Sequence, residues 1–182
     1  MKTIFCLAVF GLVASAVAHA STFLGVNPQR AFPPVWMLHV LVFVVWFPVV
    51  ISCRKIRAKC GRKDFWKVAT RGAPAWMKAL TVGLIAYAFF NFFFVTFVLG
   101  EGGVPAELDG KKVIHSHGKV IRELTDAEYE RQQTYVVRAF SGHWMLFYAV
   151  GMTVLCSRMK EVSDLKPDGI QSSADGAPQS SV

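Results

Sequence analysis

The run from Trp76 to Leu99, WMKALTVGLIAYAFFNFFFVTFVL, constrains this chain more than any other stretch: after Lys78 it holds no charged residue. About 20 mostly apolar residues suffice for a helix to cross about 30 Å of hydrocarbon, and a buried strand or a soluble helix surface needs nothing so long or so apolar. Hydropathy marks three more such runs, at about 4–26, 35–52 and 140–157. The sequence therefore predicts an all-α integral membrane bundle of four helices within a single domain, 1–160.

The first run ends in Ala18-His19-Ala20, which reads as a secretory signal with an A-x-A cleavage site. Its apolar character continues to Val26, long enough for a retained helix. The chain has three spans if it is cleaved and four if it is kept.

Charge sets the orientation. Residues 53–78 hold nine basic side chains against one acid, Asp64, whereas 100–139 hold six basic and seven acidic. A dense Lys/Arg segment stays on the cytoplasmic side, so 53–78 is expected inside and 100–139 outside, with both termini cytoplasmic if the first helix stays. The net charge of +8 is thereby assigned to topology and anionic headgroups, and nucleic acid is not expected as a partner. Cys6, Cys53, Cys60 and Cys156 lie in the first run or at cytoplasmic span ends, without a CxxC spacing, so no disulfide framework is expected.

Local signals fill in the connections. Asn27-Pro28 and Pro33-Pro34 mark an outer turn, and Trp36 sits where indole rings favour headgroups. Pro48 should bend the second span. FWKVA at 65–69 suits a short helix on the bilayer surface. Asp109-Gly110 and His117-Gly118 are hairpin turns, which predicts a small two- or three-stranded sheet in the outer loop. Thr125-Asp126-Ala127-Glu128 is a capping box opening a helix that can run into the last span. Residues 161–182 read as a disordered cytoplasmic tail.

The candidate chemistry is histidine-based. His19, His39, His115, His117 and His143 all fall near the expected outer face. Imidazoles on two helices can hold a haem iron, which makes His39 and His143 a candidate cofactor pair. His115 and His117, two apart on one strand, are a candidate transition-metal arm. The alternative is that His39 and His143 are interfacial residues satisfied by carbonyls and that the loop pair is solvated. Arg138, Trp144 and Tyr148, with Ser141 and His143, cluster at the top of the last helix and form a candidate lipid or quinone headgroup site; the alternative is that Arg138 and Trp144 are interface anchors. Asn91, the one strongly polar side chain at mid-depth in its span, should find an interhelical partner. Gly83, with Ala79 and Ala86, offers a small-residue stripe for helix contact. No P-loop, GxGxxG, HExxH, CxxCH or GxSxG is present, and no catalytic residues are assigned.

The runs HGKVIRELTDAEYERQQTYVVRAFSGHWMLFY and VWMLHVLVFVVWFP resemble a group of small multi-pass bacterial inner-membrane proteins with no assigned activity. The likeness extends over about two thirds of the chain. It implies a four-helix layout with the first helix retained and carries no site residues across. The leading expectation for function is a non-catalytic scaffold or accessory subunit that binds lipids and another membrane protein or a second copy of itself. A haem- or metal-binding redox protein is the alternative, and an oligomeric small transporter a third reading.

Overall fold

The computed structural model describes residues 1–164, so the tail expected at 161–182 lies outside the described residues from 165 on. Residues 161–164 belong to the last helix. The chain is mostly helical, with one three-stranded antiparallel sheet. Among the described residues, four helices are long and apolar enough to cross a membrane.

Helix α1 spans Lys2–Phe23. A single turn, α2 (Pro28–Ala31), is capped by the Asn27 side chain, and a 3-10 turn (Pro33–Trp36) leads into α3, Met37–Cys60. Helix α3 passes through Pro48 and runs eight residues beyond the span expected from hydropathy, into the basic segment. Gly61, at φ 72°, ends it with a backbone conformation glycine adopts without strain. The short α4 (Phe65–Ala69) follows. Helix α5 (Ala75–Phe93) continues as a π-helical turn over Phe94–Leu99.

The sheet comprises β1 (Val104–Leu108), β2 (Lys111–Ser116) and β3 (Lys119–Glu123) in the order β1-β2-β3. Both hairpins turn on residue pairs with positive φ, Asp109-Gly110 and His117-Gly118, the backbone that two-residue turns need. A register shift between Ile114 and His115 interrupts the β2–β3 ladder. Val113 and Ile114, neighbours on β2, are both buried.

Helix α6 (Asp126–Asp164) is one continuous rod of 39 residues. Its capping box is fully formed. Glu128 accepts from the Thr125 backbone N–H at 2.9 Å, and the Thr125 hydroxyl accepts from the Glu128 N–H at 3.3 Å.

The bundle is built around α6, not around α5, although α5 is the more apolar helix. In its most apolar window α6 is 67% buried within the chain, against 28% for α1, 22% for α3 and 17% for α5. Three helix contacts are close enough to need glycine. A Cβ at Gly11 would fall 2.3 Å from the Tyr148 ring, one at Gly142 2.9 Å from the Asn91 amide, and one at Gly151 2.7 Å from Val45. Gly83 behaves otherwise: it is exposed and an added Cβ would meet nothing within 4 Å, so the stripe with Ala79 and Ala86 does not pack inside the chain.

The two polar ends are distinct. At one, Asn27 bonds Glu130 and the sheet rests on the start of α6. At the other, the Gly72 N–H donates to Ser157 Oγ at 3.0 Å, setting the basic segment beside the end of α6.

Candidate functional site

The densest polar cluster joins α1, α5 and α6 near the sheet end. His19, buried on α1, has Nδ1 2.8 Å from Ser141 Oγ and Nε2 2.5 Å from the Tyr87 hydroxyl. Ser141 donates to the Arg138 carbonyl at 3.2 Å, and Asn91 Nδ2 donates to the same carbonyl at 3.0 Å. One proton assignment satisfies the whole chain. Tyr87 donates to Nε2 of a neutral His19, Nδ1–H donates to Ser141, and Ser141 donates to the carbonyl. Asn91 thus has the interhelical partner its depth demands.

This cluster ties three helices together, and Ser141 within it is fully buried. Sequence placed His19 at the end of an apolar run but did not connect it with Tyr87 or Ser141. The signal for that connection is chemical: polar side chains placed near one end of apolar helices must satisfy one another when buried.

The other histidines lie apart. Trp144, fully buried, donates from Nε1 to His39 Nδ1 at 3.0 Å, and the His39 ring sits edge-on to Phe43 and Phe140. His143 donates from Nδ1 to the Ala139 carbonyl of its own helix at 3.1 Å and meets Phe92 edge-on at 4.9 Å between ring centroids. On α6, Phe140 and Trp144 face α3 while His143 faces α5. The two imidazoles are therefore turned to different neighbours.

His115 and His117 are not two rungs of one strand face. Strand β2 ends at Ser116, and His117 is the first turn residue, at φ 50°, with its Nδ1 2.9 Å from Ser116 Oγ. Strand alternation, which the pairing required, stops one residue too early. Among the described residues no three His, Cys, Asp or Glu side chains converge as a metal site.

The headgroup set also divides. Trp144 and Tyr148 are fully buried, and the Tyr148 hydroxyl donates to the Leu38 carbonyl at 2.6 Å. Of the three, Arg138 alone faces a cleft of about 620 Å³ near the sheet end, shared with Arg30, Arg131, Tyr135 and Thr22. Its guanidinium lies 3.7 Å from the Phe23 ring centroid, a cation–π contact, while its Nε is buried without a hydrogen-bond partner. Arg30 is paired with Glu130 at 3.2 Å.

Above this cleft the sheet is fastened to α6 by charge. Arg122 reaches Glu101 through two nitrogens, at 2.8 and 2.9 Å, and Glu128 through a third contact at 2.9 Å. These bonds hold the Glu101 carboxyl below its ordinary range. They also act on Glu128, in the polar opening turn of α6, where the capping bonds from Thr125 are the larger cause and the value falls to about 2.

No family model, curated protein or solved structure matches this chain.

Proposed function

We propose that this chain is a multi-pass protein of a bacterial inner membrane, with the segment 53–78 and both termini on the cytoplasmic side, and that it serves as a non-catalytic scaffold or accessory subunit. The observation that carries the reading is the outward face of α5. Trp76, Ala79, Gly83, Ala86, Phe90 and Phe93 recur at alternating three- and four-residue steps, and all six are exposed. Phe97, in the π turn, extends the row and stacks on Phe93 with centroids 6.1 Å apart. This is the spacing of a helix–helix seam, with small residues where two backbones approach and rings where they diverge. The partner would be a helix of another membrane protein or the same face of a second copy.

Retention of α1 is supported by its packing. Cleavage after Ala20 would remove His19 from its hydrogen bonds and leave the Tyr148 ring without the close contact at Gly11.

Extraction in gentle detergent tests the role. The full chain should migrate as a discrete homo-oligomer or with a stoichiometric partner, and Gly83→Leu should release the monomer while leaving its fold intact. A wild-type monomer with no partner, or a complex indifferent to Gly83→Leu, would contradict the reading.

A further inference from the structure

The geometry points to a binding site for one anionic phospholipid in the groove between α3 and α6, its phosphate held by Arg54, Arg57 and Arg62 at the basic end. This rests on the membrane placement proposed above and goes beyond it by naming a ligand class and its residues.

The groove has two joined hollows. The one at the basic end, about 620 Å³, is walled by Val49, Val150 and Val154 with Phe65 and Trp66 of α4, and is rimmed by the three arginines. The second, about 520 Å³, continues along α3 past Phe43, Phe47 and Phe147 and is almost wholly apolar. They share Trp46 and Val50. Helical spacing explains the alignment: Phe43, Trp46, Val50, Arg54 and Arg57 follow one another at three or four residues on α3. The chain reversal at Gly61 then brings Arg62 and α4 back to the same rim.

Charge chooses the occupant. Among the described residues none of the three arginines is paired with a carboxylate. Guanidinium groups suit phosphate oxygens through paired N–H donors. An acyl chain fills the apolar continuation, where Trp46 is held by its Nε1–H bond to the Phe147 carbonyl at 3.2 Å. A free phosphate would use only the rim and leave both hollows unfilled.

The test uses the full chain carrying Trp36→Phe and Trp76→Phe, which leaves Trp46, Trp66 and the fully buried Trp144, reconstituted in nanodiscs of phosphatidylcholine, with brominated phosphatidylglycerol or brominated phosphatidylcholine added as quencher of the Trp46 and Trp66 emission. Circular dichroism confirms that each variant is folded, and vesicle flotation reports insertion separately. Brominated phosphatidylglycerol should quench at lower mole fraction than its zwitterionic counterpart. The triple change R54Q/R57Q/R62Q should weaken that preference by about fivefold per arginine, while K55Q/K59Q/K63Q, which removes the same charge from the same border, should leave most of it. Val50→Phe, which fills the junction of the hollows without adding an indole, should weaken binding with all arginines present. Equal loss in the two triple variants, or no preference for the anionic lipid in a protein that floats with vesicles, would overturn the site. Failure to float would instead count against the membrane placement.

Discussion

An alanine at position 11 would set its Cβ against a Tyr148 ring that is fully buried and tied by its hydroxyl to Leu38, so neither partner can yield cheaply. Gly11→Ala should cost ~1–3 kcal/mol of stability, read as a lower denaturant midpoint of the detergent-solubilised monomer. Gly83→Ala should leave the same midpoint unchanged or raise it, by at most ~1 kcal/mol of stability, because nothing lies near its Cβ position and alanine favours the helix. His19→Phe removes the link between Tyr87 and Ser141 and should cost ~1–2 kcal/mol by the same measurement. Sequence supplied the depth of each of these residues and not the direction it faces. Depth alone grouped His39 with His143 and Arg138 with Trp144 and Tyr148. Their rotation about α6, fixed by which neighbour fills each position, separates them.

Helices and turns were legible because each carries its own local signal. Spans follow from uninterrupted apolar runs, the start of α6 from Thr125 and Glu128, and both hairpins from residue pairs that accept positive φ. The hub was not legible from hydropathy, since α6 is the least apolar of the four long helices and the most buried. The reason is that small and hydroxylated side chains let neighbours approach and bond, as Thr153 does with Thr81 at 2.8 Å, whereas the more apolar helices are free to face outward. The sheet belongs to this scale too. Glu101 and Glu128 have folded-state pKa values below their unfolded ones, so the stability they contribute is complete above about 4.3, the ordinary Glu value, and is lost as pH falls through the folded values. Acidification from pH 6 towards 2 should therefore loosen the sheet from α6, seen as a shift of the Ile114 methyl resonance. Arg122→Gln should show the loosened signal already at pH 6 and lose the part of the transition that Arg122 causes.

At the scale of the whole molecule, the four apolar helices separate two ends of different charge. The basic segment lies beside the end of α6, and the sheet, with its balanced charges, beside the start of α6. A bilayer between these ends accounts for the exposed aromatic faces of α3 and α5 and for the groove that closes on arginines at one border only. Single cysteines at positions 63 and 117, in a chain freed of its four native cysteines, test this most directly when labelled with a membrane-impermeant maleimide. Cysteine 117 should react in intact cells stripped of their outer membrane, and cysteine 63 only after permeabilisation. Labelling of both in the same compartment would contradict the account.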